Sequence, residues 1–426
     1  MTDIERKIRE EFPLIKNTTL AYLDNSATVQ KPQCVMDAVT GFYEKDNANP
    51  MRGLYELSLR ATDVYESARE AVARFISHSG SSGEIKEATE KNPITGEKVS
   101  PEEIIFTRNA SESLNLVAYS YGMNFIKEGD EIIVSVAEHH SNFLPWQQVA
   151  KVTGARVVWF DCEADGSFSI DTLKALITDR TKLLAITQVS NVLGRVNDVK
   201  TMAELIHEKG GVIVVDGSQS VPHMDVNVKE LDADFFAFSG HKMYAPMGIG
   251  VLYGKKALLE KMPPFLYGGE MIESVTKEKT VFAEVPHKFE AGTVNAGGAA
   301  GLEAAIRFIE GYGFDFIKER EDMLTARAFE KMKNMPHINI IGGEKEEDHH
   351  GIIAFQVEGV HPHDVSQIFA DSDIAVRAGH HCAQPLHKHL GIMSSTRMSI
   401  AFYNTEEEID RFIKVLSSIR SRMGYK

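Results

Sequence analysis

From about residue 104 the chain alternates short apolar runs with longer amphipathic stretches. The runs are Ile104-Ile105-Phe106, 131–136, 155–160, 183–187, 212–215, 234–238 and 249–253. They are rich in β-branched and aromatic residues and lack the period-two alternation of a half-exposed strand, so they predict strands buried on both faces. Stretches 111–125, 145–152 and 199–209 between them carry helical periodicity. The alternation predicts an α/β domain with a largely parallel sheet, whose ligands bind beyond the carboxyl ends of the strands.

The pattern changes after about residue 305. Helical stretches at 301–310 and 316–332 lead to a strand at 351–357, a helix at 364–370, strands at 374–377 and 397–402, and a final helix from Glu406. This predicts a smaller α+β domain. Segment 78–98 is polar and turn-rich and reads as a surface loop or hairpin, a tolerated insertion rather than a functional element.

Composition fits this picture. The 426 residues are 43% apolar and 25% charged, which excludes a disordered chain. A net charge of -15 disfavours nucleic acid as a partner, since phosphate neutralisation needs a basic surface. The charged N-terminus has no signal-like apolar core, and no run approaches the ~20 apolar residues of a membrane helix. A soluble cytoplasmic protein is expected. Three cysteines exclude a disulfide scaffold and point to a reducing compartment. Cys34 and Cys162 read as small buried hydrophobes. Cys382 stands in the polar context Arg377-Ala378-Gly379-His380-His381-Cys382-Ala383-Gln384-Pro385, which reads as a reactive thiol.

Two strand ends carry further chemistry. The run 212–215 ends in Asp216, and 234–238 runs into Ser239-Gly240-His241-Lys242. A strand-end Asp alone is commonly a turn or cap residue, and a lone Lys is commonly solvated. Neighbouring strand ends could nevertheless aim a carboxylate and an amine at one ligand. A lysine amine forms a Schiff base with the aldehyde of pyridoxal phosphate (PLP), and an acid holds the pyridine nitrogen protonated.

Ser239-Gly240-His241-Lys242, with Val215-Asp216-Gly217-Ser218-Gln219 before it, resembles the class V aminotransferase-like PLP enzymes. The Cys382 segment narrows the likeness to the SUF-system, or group II NifS-like, cysteine desulfurases. Further matching motifs are Tyr22-Leu23-Asp24-Asn25, Glu138-His139-His140-Ser141-Asn142, Ser190-Asn191-Val192-Leu193-Gly194, Gly268-Gly269-Glu270-Met271-Ile272 and Phe289-Glu290-Ala291-Gly292-Thr293.

The resemblance implies a fold-type I PLP enzyme. An N-terminal segment (1–27) would pack with a small C-terminal α+β domain (306–426) that carries the cysteine, beside a large PLP-binding α/β domain (28–305). It implies that Lys242 carries PLP and moves the Cα proton, that Asp216 pairs with the pyridinium nitrogen, and that Gln219 bonds the phenolic oxygen. His139 would stack on the ring. Asn191 would bond near the phenolic oxygen and the substrate carboxylate. Ser239, His241, Ser111 and the backbone N–H groups of Ala110 and Ser111 would hold phosphate, and Thr293 would reach the phosphate of a partner subunit, which makes a homodimer part of the inference. Arg397 would bind the substrate carboxylate and Arg377 would shape the cysteine loop. Relatives usually carry a pair of threonines at 110–111, and often histidines where Met51 and Tyr55 stand.

The implied reaction converts L-cysteine to L-alanine. Cys382, its thiol pKa lowered by His380, His381 and Arg377, takes the sulfur as a persulfide and passes it to a small acceptor protein of iron–sulfur assembly. Selenocysteine lyase and cysteine-sulfinate desulfinase are the alternatives, and a non-catalytic PLP-binding scaffold is a further one. A zinc site at Cys382, His380, His381, His387 and His389 lacks a second cysteine and would quench the thiolate, so no metal is expected. Residues 346–350 read as a solvated loop.

Overall fold

The computed structural model describes residues 2–77 and 98–425. Apart from Lys98, the polar segment 78–98 lies outside the described residues. The strands in chain order are Ala21–Tyr22 (β1), Ile104–Thr107 (β2), Glu131–Ser135 (β3), Arg156–Phe160 (β4), Thr181–Thr187 (β5), Val212–Asp216 (β6), Phe235–Ser239 (β7) and Gly250–Gly254 (β8). They continue with Ile272–Val275 (β9), Thr280–Phe282 (β10), Ile338–Ile341 (β11), Ile352–Val357 (β12), Ile374–Ala375 (β13), Arg377–Gly379 (β14) and Ser395–Ser399 (β15).

The central sheet has the order β2-β8-β7-β6-β5-β3-β4. Its pairs are parallel from β7 through β6, β5 and β3 to β4, while β8 is antiparallel to both β7 and β2. The link between Ser239 and Gly250 is too short for a crossover helix, so β8 returns antiparallel. All the other strands point their carboxyl ends to one edge. Along β6, Ile213 and Val215 face one core cluster while Val212 and Val214 face another. Burial on both faces is why these runs show no alternation.

One face is covered by Gln33–Lys45, Glu56–Phe75 and Ala296–Tyr312. The first two have no counterpart in the sequence reading, and the third starts before the expected 301 because 296–301 is Gly- and Ala-rich. Those small residues permit close contact: a Cβ on Gly301 would lie 2.5 Å from Pro246. This helix is continuous past residue 305 and ends at Gly313, whose φ is +80°.

The C-terminal sheet is antiparallel, order β11-β12-β15-β14, with Phe314–Lys333, Pro362–Ala370 and Glu406–Arg422 packed around it. The strand expected at 374–377 is two: β13 pairs in parallel with β1 near the N-terminus, and β14 joins β15. An unbroken apolar pattern cannot reveal a change of partner. β15 lies earlier than the expected 397–402, because Phe402 and Tyr403 leave the sheet for an aromatic cluster with Phe12, Tyr244 and Phe308.

Two further expectations are corrected. Cys34 is exposed rather than buried, one residue into the helix Gln33–Lys45. Within 346–350, His349 is buried, its Nε2 donating to the Gly343 carbonyl (2.8 Å) and its ring 5.1 Å from that of Phe329. Cys162 is buried as expected. Among the described residues no helix is long and apolar enough to cross a membrane.

Candidate active site

The parallel strand ends deliver the first group of side chains. Asp216 closes β6 and is 5% exposed, with its Oδ1 accepting the Ser218 N–H (2.9 Å). Gly217 permits that turn, because a Cβ there would sit 1.9 Å from the Phe236 ring. Gln219 donates Nε2–H to the Ser26 carbonyl (2.8 Å), while its buried Oε1 has no partner among the described residues. Beyond β7, Ser239 leads into a 3-10 turn over Gly240–Lys242. His241 Nδ1 is likewise buried without a partner among the described residues.

Lys242 is partly buried beside Asp216 and Arg397. Burial lowers its amine to about 8 against the opposing pull of the Asp216 carboxylate. His139 follows β3, and burial, then the nearby Lys242 charge, hold its imidazole down at about 4. The ring is therefore neutral. Its Nδ1 accepts the Ser141 N–H (3.1 Å), which leaves the proton on Nε2.

Helix Ala110–Leu116 is capped by Asn109, whose Oδ1 accepts the Glu112 N–H (3.0 Å). The Ala110 N–H, expected to hold phosphate, donates instead to Ser239 Oγ (2.9 Å). It thereby fixes the Ser239 hydroxyl at the same edge. The Ser111 and Ser141 hydroxyls pair at 2.6 Å beside it.

The second group comes from the small sheet. Cys382 is exposed, and both it and His381 have positive φ, +56° and +50°. Non-glycine residues in that region cost energy, so the surroundings must hold the loop. His140 N–H donates to the Cys382 carbonyl (2.7 Å), and Asn191 Nδ2–H donates to that of His381 (2.8 Å). Behind the loop a directed chain of hydrogen bonds runs through neutral rings. His387 Nδ1 faces the Ala383 carbonyl (3.0 Å) and must carry hydrogen, so His387 Nε2 accepts from Ser395 Oγ (3.0 Å). Ser395 Oγ then accepts from His381 Nε2 (2.9 Å).

The expectation of cationic histidines around the thiol is corrected at His381. Burial first, then Arg397, hold its ring at about 2, so it is neutral. The charges near Cys382 are those of Lys242, Arg397 and Arg377, each of which feels it electrostatically. Arg397, on β15, is 2% exposed and burial lowers it to about 10. It donates to the Asn191 carbonyl (2.7 Å) and to Asp24 (3.5 Å), while its buried Nε has no acceptor among the described residues. Arg377 embraces Asp24 from 2.9 to 3.2 Å. Asn191 gives one amide N–H to the cysteine loop, which leaves its second N–H and its oxygen for a ligand. Thr293 is exposed.

The sequence quoted Asp24 and Glu138 in motifs but assigned neither a role. Asp24 orients both arginines. Glu138 is fully buried and ties the site's elements together: its carboxyl meets Ser135 Oγ, the Thr187 N–H (2.7 Å) and Asn142 Nδ2 (2.5 Å). Glu138 stands beside His139, which does have a role, whereas no such neighbour marks Asp24. Burial pushes Glu138 up to about 8 from an ordinary 4.5. A carboxyl raised on folding holds an extra proton in the native state, so its stabilising effect is full below about 4.5 and is lost as pH rises to about 8. Urea unfolding of the apoprotein at pH 5 and pH 8 is expected to show a smaller loss of stability for Glu138→Gln than for wild type. Equal slopes would refute this.

Known proteins resemble the chain over nearly its whole length. The family model described as aminotransferase class-V matches residues 21–85 and 95–412. A probable cysteine desulfurase of Halalkalibacterium halodurans is 45% identical over 423 residues, covering 98% of each chain. A cysteine desulfurase of Haloferax volcanii is 40% identical, covering 97% of this chain and 96% of its own. The apo structure of a cysteine desulfurase from Thermococcus onnurineus superposes with a TM-score of 0.89 at 39% identity, covering 98% of both chains.

Proposed function

The chain belongs to the aminotransferase class-V family and is a cysteine desulfurase, and from that premise we propose that it converts L-cysteine to L-alanine while Cys382 takes up the sulfur. The observation that carries this reading is an exposed thiol on a held, left-handed loop, within electrostatic range of a partly buried strand-end lysine and a buried arginine.

The residues present fit PLP. Lys242 offers an amine without a hydrogen-bonding partner among the described residues, and Asp216 a carboxylate with only one oxygen bonded. Gln219 Oε1 and His241 Nδ1 are buried polar atoms without partners among the described residues, and the Gln219 amide keeps a second Nε2–H to donate. Lys242 would hold the aldehyde carbon, Asp216 the ring nitrogen, Gln219 the phenolic oxygen, and His139 the ring face. Ser111, Ser239 and His241 would hold the phosphate, with Thr293 from a second copy in a homodimer. Bound PLP supplies the electron sink that acidifies the substrate Cα–H and lets the carbon–sulfur bond break.

The chain's own groups do the rest. Arg397, its guanidinium fixed by Asn191 and Asp24 and its Nε–H without an acceptor among the described residues, would bind the substrate carboxylate. Lys242, lowered to about 8, is substantially neutral at mildly alkaline pH and can accept the Cα proton, then return a proton to Cα as alanine forms. Cys382 thiolate then attacks the substrate sulfur. A sulfur–sulfur bond forms, the Cβ–sulfur bond breaks, and its electron pair stays on Cβ, which is protonated to the methyl of alanine. The carbon is reduced by the electrons that the sulfur gives up, so no outside oxidant is needed. The exposed persulfide is open to a small sulfur-accepting protein. Iron–sulfur assembly of the SUF type in the cytoplasm is the role this supports.

Holoenzyme given L-cysteine without reductant should gain one sulfur atom on the Cys382 peptide and release one alanine per sulfur, read by mass spectrometry. Alanine release with Cys382 left unmodified would refute the reading. Faster turnover of selenocysteine or cysteine sulfinate, independent of Cys382, would favour the corresponding lyase or desulfinase.

A further inference from the structure

Lys31 stands next to the site, and none of the roles above uses it. It follows Val29-Gln30 in the segment entering the large domain and is partly buried. Its Nζ donates to the carbonyls of Val29 (2.6 Å) and His241 (2.8 Å). Among the described residues no carboxylate pairs with it, and burial alone lowers its amine, to about 7. A buried ammonium without an acid partner is costly unless something rewards it.

The His241 carbonyl is where the reward lies. It accepts from Lys31 Nζ, from Thr28 Oγ1 (3.1 Å) and from the Val29 N–H (3.3 Å). That carbonyl belongs to the peptide bond joining His241 to Lys242. On one side of it hangs an imidazole whose buried Nδ1 has no partner among the described residues, and on the other the strand-end amine. The Lys31 charge also reaches the imidazole, which burial, then Lys242, then Lys31 hold near 4 and neutral.

We propose that Lys31 is a positioning residue, whose Nζ clamps the His241–Lys242 peptide so that the lysine amine and the imidazole meet the cofactor's aldehyde and phosphate together. The proposal rests on the PLP reading above. It gives the segment around residues 28–31 a task in cofactor binding although no side chain there needs to touch the cofactor.

The test compares wild type with Lys31→Met, Lys31→Gln and Lys31→Arg, each reconstituted with PLP. Methionine fills a similar volume and removes an unpaired buried charge, so the apoprotein should unfold at or above the wild-type temperature. The reconstituted Lys31→Met protein is expected to bind PLP at least ~10-fold more weakly and to turn over ~10-fold more slowly, as a small misplacement of a reacting group would cause. Its visible circular dichroism per bound cofactor, which reports ring orientation, should fall to about half or less, and Lys31→Arg should recover most of it. Lys31→Gln, which keeps a donor without the charge, should fall between the two.

Wild-type affinity and dichroism in Lys31→Met would overturn the proposal. So would variants that only lose thermal stability while dichroism stays intact. Failure of wild type itself to bind PLP would overturn the PLP reading instead, and the two failures are thereby distinct.

Discussion

Cys382→Ala should lower alanine formation from L-cysteine by ~100-fold or more while leaving PLP bound. The thiol is the only group placed to accept the sulfur: among the described cysteines Cys162 is buried, and Cys34 lies in the helix Gln33–Lys45, where desolvation first and then Glu11 raise its thiol. None of the proposed cofactor ligands depends on it. Cys382→Ser keeps the shape and a hydroxyl, but an alkoxide is not accessible at neutral pH, so it should resemble Ala rather than wild type. Absorbance of the bound cofactor and alanine release in single turnovers check both claims. Alanine at the wild-type rate from Cys382→Ala would show that the sulfur leaves without a protein nucleophile, and the desulfinase or lyase alternative would then stand.

Much of this site was legible before any coordinates. The strand-end positions of Asp216 and Lys242 were legible because the runs 212–215 and 234–238 mark buried parallel strands by their hydrophobicity, whereas the roles proposed for the two residues came from the motifs around them. Cys382 was legible from its polar neighbours. What stayed hidden is second-contact chemistry. The neutrality of His381 depends on burial and on Arg397, which lies in a different strand. The Ala110 N–H is taken by a hydroxyl 129 residues away. Nothing along the sequence marks Lys31, which the fold brings to the His241 carbonyl, 210 residues along the chain. The division of 374–377 between two sheets was hidden for the same reason, because strand partners are chosen by tertiary contacts.

Lys242→Ala should cost more than any other single change, with turnover falling by ~10⁴-fold or more, because one amine both anchors the cofactor and carries the Cα proton. Treating the wild-type holoenzyme with borohydride should fix the cofactor to the Lys242 peptide, and Lys242→Ala should show no such adduct. Lys31 is the other lysine with a lowered amine near the site, so it is the internal control. Its Nζ already donates to the Val29 and His241 carbonyls, so it cannot turn toward an aldehyde without releasing both. Lys242→Arg should not restore turnover, since a guanidinium stays charged and neither condenses with an aldehyde nor accepts a proton near neutral pH. A small primary amine added to Lys242→Ala could enter the vacated space and act as the base, and partial recovery that rises with pH as the added amine deprotonates would show that a neutral amine is what the step requires. An adduct on Lys31, or turnover of Lys242→Ala within tenfold of wild type, would refute the assignment of Lys242.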